Sequence, residues 1–174
     1  MIHELAALIA GRNLIFGGYV RDLINNVPPN DLDVEVEDHY DAEALIAFLS
    51  RKGYRVDVDT MNMGYCMVRA VVSKDGKSVG LDLVPHNKKH YPDFDVNHAT
   101  MESDCVIVRP DVLRQIASKH ITHGCVGSLK RYEKMVAKGY TFSPRFKETM
   151  NKFHDLERIM PASDITEYDF VPKE

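Results

Sequence analysis

The amino-acid sequence predicts an α/β fold in which helices flank a sheet, followed by a short helical appendage. Three observations lead there. Residues 14–36 read as strand, glycine pair, short helix, turn and acidic strand. Residues 54–84 hold three stretches of period-two alternation, the last two joined at Asp75-Gly76. From residue 110 the apolar positions recur at three and four.

Residues 2–10 form a helix with Leu5, Leu8 and Ile9 at helical spacing and Gly11 as its stop. Residues 14–16 are a strand, Gly17 and Gly18 open a helix to about Ile24, and Pro28-Pro29-Asn30 turns the chain into the strand 31–36. Without a Cβ, the two glycines can take φ > 0 and let a phosphate approach backbone N–H groups at the helix start. Period two sets Leu32, Val34 and Val36 on one strand face and Asp31, Asp33, Glu35 and Glu37 on the other. Asp31 and Asp33 lie one pleat apart, so both carboxylates can converge on Mg²⁺, a hard ion that takes oxygen ligands. Taken singly, a glycine pair is an ordinary turn and an acidic strand face is ordinarily solvated.

Residues 41–50 are an amphipathic helix, with Asp41 as N-cap or first-turn acid and Gly53 at its end. The strand 54–59 repeats the Asp-x-Asp spacing in Asp57 and Asp59, but no glycine pair precedes it, so it reads as a solvated face. Residues 64–72 and 78–84 pair as a hairpin about Asp75-Gly76. Asp82 lies between the inward Leu81 and Leu83, either as part of an exposed face or as a third carboxylate beside Asp31 and Asp33; the second reading is adopted.

The loop 85–92 is basic and aromatic, suited equally to a phosphate contact and to a plain surface loop. Residues 105–109 are a last short strand, and Pro110 with Asp111 opens a helix to about His120. His120, His123 and Cys125 lack a fourth ligand for a transition metal, and their segment reads as a loop. The helix 128–138 sets Leu129, Tyr132 and Val136 on one side and Lys130, Arg131, Lys134 and Lys138 on the other. That basic side is either simply solvated or a contact for a triphosphate or an RNA backbone. Ser143-Pro144 starts a last helix with Phe146, Met150, Phe153, Leu156 and Met160 at its apolar positions, and the acidic stretch after Pro161 reads as a strapped or mobile tail.

With 174 residues and 44% hydrophobic content the chain is long enough to bury a core. The net charge of −4 is uneven: residues 1–108 carry about −7, residues 109–152 about +7 and residues 153–174 about −4, which makes the middle block the polyanion-facing candidate. Three cysteines without a Cys-x-x-Cys pair argue against a disulfide framework or zinc ribbon and are expected to be buried thiols. The apolar start lacks a basic n-region, and no stretch approaches 18 apolar residues, so a soluble cytoplasmic protein without a membrane partner is expected.

Gly17-Gly18-Tyr19-Val20-Arg21-Asp22, followed after twelve residues from Gly18 by Asp31-Leu32-Asp33, resembles the signature of the nucleotidyltransferase superfamily. Within it, the wording is similar to the head domain of the tRNA CCA-adding enzyme and bacterial poly(A) polymerase family. The resemblance is specific over residues 14–37 and thinner to about residue 101. Asp93, Phe94 and Asn97 match the family's Arg-Arg-Asp-Phe-Thr-Ile-Asn-Ala motif, but Tyr91 and Pro92 stand where the nucleotide-binding arginines would be. Lys88, Lys89 or the basic helix are the available substitutes. The family's Glu-Asp-x-x-Arg motif for base choice is not found in that helix.

The resemblance implies a nucleotidyltransferase head with a mixed, mostly antiparallel sheet over residues 1–108 and a neck-like helical appendage packed on it over residues 109–174, ending in the acidic tail. It implies Asp31, Asp33 and Asp82 as catalytic carboxylates holding two Mg²⁺, with Mn²⁺ as a substitute. Gly17, Gly18, Arg21, Asp93, Asn97, Lys130, Arg131 and Lys134 become candidates for binding a nucleoside triphosphate, ATP or CTP. The implied acceptor is an RNA 3′ end. The same carboxylates would serve to nucleotidylate a protein or small molecule, and a non-catalytic RNA- or nucleotide-binding module is the remaining alternative.

Overall fold

The structure, a computed structural model, describes residues 1–63, 66–86, 94–125 and 127–159. Lys88, Lys89, Asp93 and the acidic tail lie outside the described residues. The chain divides into two compact units, one of Met1–His90 with Ala99–Val108, the other of Tyr91–His98 with Arg109–Glu174.

The first unit is built on a seven-stranded sheet. Its strands are β1 (Ile15–Phe16), β2 (Asp31–Val36), β3 (Arg55–Met63), β4 (Cys66–Lys74), β5 (Lys77–Pro85), β6 (Thr100–Glu102) and β7 (Cys105–Ile107), in the order β3-β4-β5-β2-β1-β6-β7. Only β2 and β5 pair in parallel; every other neighbouring pair is antiparallel. The β4–β5 turn places Asp75 at φ 53 and Gly76 at φ 73, the double left-handed geometry of the type I′ two-residue hairpin turn. The alternation expected of residues 31–36 is present: Leu32, Val34 and Val36 are buried while Asp31 is exposed. In register with them, Leu81 and Leu83 of β5 and Val68 and Ala70 of β4 extend one apolar sheet face.

Helix α1 (Ile2–Ala10) buries Leu5, Ala6, Ile9 and Ala10, and α3 (His39–Arg51) buries Ala42, Leu45 and Leu49. Asp38 caps α3, accepting from the Asp41 N–H at 3.0 Å, so Asp41 is the first-turn acid. Its carboxylate accepts from Asn13 Nδ2 at 2.9 Å and from the Glu37 N–H at 3.1 Å, tying the end of β2 to the helix start. Between β1 and β2 runs α2 (Gly18–Ile24). Gly11 ends α1 as its C-cap, as expected, in a right-handed conformation with φ −70.

The second unit contains α4 (Pro110–Ser118), α5 (Leu129–Ala137) and α6 (Pro144–Ile159), with a parallel two-stranded pairing of β8 (His120–Ile121) and β9 (Thr141–Phe142) that the sequence pattern did not announce. Phe94 is buried with its ring edge-on to Phe142 (5.5 Å between centroids) and Phe146 (6.3 Å), and Val96 is buried beside it. This aromatic anchor draws residues 94–98 into the second unit, whereas the sequence reading had placed them in the head. On α5 the buried position is Met135 and Val136 is 47% exposed, because Tyr132 leans on Phe142 (4.8 Å) and sets the apolar stripe one residue away from the expected one. Of the three free cysteines only Cys66 is buried; Cys105 is exposed on β7, a sheet-edge strand, and Cys125 is half-buried. Among the described residues no helix is long and apolar enough to cross a membrane.

Candidate functional site

The polar face of the sheet gathers the three predicted carboxylates. The parallel pairing sets Asp33 opposite Asp82 and Asp31 opposite Gly80, and Gly80 offers no side chain beside Asp31. Strands in this arrangement are about 4.8 Å apart, so Asp33 and Asp82 are lateral neighbours on one face with Asp31 one pleat from them. Behind them Leu32, Leu81 and Ala70 are buried in register, which fixes where the acids project. Asp31 is exposed, and Asp33 and Asp82 are half-buried.

A fourth residue in this row was not singled out from the sequence. Across the β4–β5 hairpin Arg69 stands opposite Asp82, its Nε donating to Oδ1 at 2.9 Å and its Nη2 to Oδ2 at 2.7 Å. Both Asp82 oxygens are thus held by one planar fork, a geometry that suits guanidinium and carboxylate. The carboxylates of Asp31, Asp33 and Asp82 do not draw together as one group of donor atoms within 4.8 Å; among the described residues, that compactness is found for Asp95, Asp111 and His123 of the second unit.

The glycine pair meets the acidic strand directly. Gly17 is the N-cap of α2 at φ 75 and ψ −134, and a Cβ there would lie 3.1 Å from Asp33 Oδ2. Its N–H donates to the Ala99 carbonyl at 3.1 Å, so the expectation that Gly17 offers its own N–H to a phosphate is corrected; its part is to let the chain turn against Asp33. The first intrahelical bond, Arg21 N–H to the Gly17 carbonyl at 3.2 Å, leaves the N–H groups of Gly18, Tyr19 and Val20 without a partner inside the helix. Arg21 is 3% exposed and pairs with Asp22 through Nη2 at 2.7 Å and Nε at 2.8 Å. Its guanidinium lies under the helix start, 3.6 Å from where a Gly18 Cβ would be. The competing pair is as the sequence suggested: Asp57 accepts from Arg55 at the exposed sheet edge, at 2.9 Å.

At the end of β2, His86 Nδ1 and the Glu35 carboxylate are hydrogen-bonded, and that bond, with Glu35's charge, holds the imidazole above its ordinary value. Cys66, buried under β5, has its thiol pushed up by burial and next by the Asp82 charge.

In the second unit, Asn97 ends a 3-10 turn at Asp95–Asn97 and is half-buried, while Lys130, Arg131 and Lys134 are exposed on α5. His123 Nε2 lies 3.1 Å from Asp95 Oδ2 and 3.5 Å from Asp111 Oδ2, and Arg109 Nη2 approaches the same two oxygens at 3.4 and 3.1 Å. Burial works against the Asp111 carboxylate, but its own backbone N–H, Arg109 and His123 outweigh it and lower its pKa. The Arg109 guanidinium reaches both carboxylates and offsets one of their two charges, so the cluster reads as an ion-pair network closing the start of α4. His123 was noticed in the sequence beside His120 and Cys125, yet His120 turns to Thr141 Oγ1 at 2.9 Å instead. No local spacing links His123 to Asp95; tertiary packing supplies that contact.

No family model matches the chain, and no curated protein matches it in sequence. Solved structures do share its fold. A tRNA-processing enzyme with CTP superposes at a TM-score of 0.61 and 18% identity, over 93% of this chain and 48% of its own. A tRNA nucleotidyltransferase complexed with a primer tRNA and an incoming ATP analog gives 0.59 and 18%, over 90% and 50%. The Thermotoga maritima CCA-adding enzyme complexed with tRNA gives 0.51 and 18%, over 69% and 32%. This chain therefore spans half or less of the length of these proteins. At such identities the likeness establishes the fold, an α/β nucleotidyltransferase-like head with a mixed sheet.

Proposed function

We propose that this protein transfers a nucleoside monophosphate from a nucleoside triphosphate to a hydroxyl, with an RNA 3′ end as acceptor. The observation that carries the reading is the register that sets Asp33 against Asp82, with Asp31 on the same face and the Gly17 turn 3.1 Å from Asp33. Two further facts support it: the fold is shared with proteins solved with CTP, with an ATP analog and with tRNA, and exposed Lys130, Arg131 and Lys134 supply positive charge suited to a polyanion.

The donor set fits a hard divalent cation. It is all oxygen and half-exposed, so carboxylates share the ion with water and phosphate, as Mg²⁺ prefers. Asp31 and Asp33 would hold the metal, joined by Asp82. Bound there, two Mg²⁺ would lower the pKa of the acceptor hydroxyl and neutralise charge on the departing pyrophosphate. The N–H groups of Gly18 to Val20 point to where an anion is favoured. Gly17 keeps Asp33 close to that helix start, and Arg21, paired with Asp22, supports it from beneath. In this reading Asp93, outside the described residues, and Asn97 belong to the nucleotide-binding set.

The test is Mg²⁺-dependent incorporation from each labelled nucleoside triphosphate into total RNA, beside the Asp31→Ala/Asp33→Ala variant. The expected result is labelling by the wild type and a loss of about a thousandfold in the variant, since metal stabilisation of such transfer is worth several kcal/mol. Labelling of added protein in place of RNA would move the acceptor to protein. Nucleotide or RNA binding without transfer to any acceptor would replace catalysis with a binding module.

A further inference from the structure

The structure assigns Arg69 as a counter-ion that competes with the metal for Asp82, so that the third carboxylate joins the metal centre only when Arg69 gives it up. This rests on the metal-dependent reading above and adds a residue to it. Arg69 projects from β4 in register with Asp82, and its fork holds both carboxylate oxygens at 2.7–2.9 Å. A carboxylate held by two charge-assisted hydrogen bonds, one to each oxygen, is a poorer ligand than a free one, and a cation beside the site repels a dication. Without that fork, Asp82 stands next to Asp33 on a neighbouring parallel strand, close enough for both to reach one ion.

The lock is weak enough to open. The Arg69 side chain is 44% exposed and Asp82 is 18% exposed, so water screens the pair and can solvate a displaced guanidinium. A triphosphate arriving with its metal brings what the exchange needs: a dication for Asp82 and an anion for Arg69, whose planar donors match phosphate as well as carboxylate. Arg69 is then a positioning residue whose state depends on whether donor and metal are both present. Metal alone must displace it; metal with triphosphate offers it a new partner.

The experiment is Mn²⁺ binding, followed by electron paramagnetic resonance without nucleotide, in the wild type and in Arg69→Met, Arg69→Lys, Asp82→Asn, the Arg69→Met/Asp82→Asn double variant and Asp31→Asn/Asp33→Asn. Circular dichroism checks each fold. Arg69→Met is expected to bind Mn²⁺ about fivefold more tightly, the upper range for a half-exposed pair. Arg69→Lys, which keeps the charge and loses the fork, should fall between. In the Asp82→Asn background the Arg69→Met change should have little effect, because the residue acts through Asp82. Unchanged or weaker Mn²⁺ binding in Arg69→Met, or equal tightening without Asp82, overturns the inference while leaving the metal centre standing. If the wild type binds no Mn²⁺, or Asp31→Asn/Asp33→Asn binds it equally, the metal centre itself is refuted and the inference falls with it.

Discussion

Replacing Gly17 with alanine should separate the two glycines of the motif. At φ 75 and ψ −134 Gly17 occupies backbone space that L side chains rarely enter, and the new Cβ would sit 3.1 Å from Asp33 Oδ2. Backbone strain of that kind costs about 1–3 kcal/mol, and displacing the carboxylate by a few tenths of an ångström adds to it. For a chain of this size each kcal/mol moves the midpoint by about 2–4 °C, so Gly17→Ala is expected to lower Tm by roughly 5–10 °C. Its Mn²⁺ affinity should fall as well, because the strained contact is with a proposed ligand. Gly18→Ala is the control: its Cβ meets Arg21 Nη2 at an ordinary 3.6 Å, and an alanine within a helix gains up to about 1 kcal/mol over glycine. Thermal denaturation and Mn²⁺ titration on the same samples decide the matter. Equal losses of stability in the two variants, or an unperturbed Gly17→Ala, would refute the assignment of Gly17 as the conformational hinge against Asp33.

Two further outcomes follow from the same structure. The Glu35 hydrogen bond and charge raise the His86 pKa above 6.5, so the pair's stabilisation is fully present below about pH 6.5 and is lost as pH rises through the folded-state value; an NMR titration of His86 should show a midpoint that Glu35→Gln moves down, and an unmoved midpoint would dismiss the pairing. Phe94→Ala should cost about 3–5 kcal/mol by emptying a fully buried aromatic position, and hydrogen exchange should locate the loss in α4–α6 with β2 and β5 still protected; loosening of the sheet instead would place Phe94 in the wrong unit.

What was legible in the sequence was local. Alternation at Leu32, Val34 and Val36 predicted the acidic face, and Pro110 and Ser143-Pro144 marked the starts of α4 and α6, where Pro110 and Pro144 are the first residues. The glycine pair was legible as a turn, but its division of labour was not: that Gly17 spends its N–H on Ala99 depends on β6 lying beside β1, a pairing between strands more than eighty residues apart in the chain. Phe94 read as part of the head motif for the same reason. Its partners, Phe142 and Phe146, come from much later elements, and the period of a short segment says nothing of which core it enters.

Arg69 is the instructive case, because the information for it is half local. Asp75 and Gly76 form a two-residue turn flanked by the Lys74–Lys77 pair, and from such a turn every later pairing follows by counting outward, so Arg69 must meet Asp82. The other half, Asp82 beside Asp33, has no such local rule, since β2 and β5 are parallel and joined through α3, β3 and β4. There the register is set by matching apolar positions, Leu32 to Leu81 and Val34 to Leu83, both buried. A slip of one residue in β5 would turn Leu81 and Leu83 toward the polar face and Asp82 into the core, so burial penalises every register but those that keep the acid on the outside. The placement of Asp82 between Asp33, the proposed metal ligand, and an arginine is thus enforced by the leucines on either side of it, residues outside the proposed site.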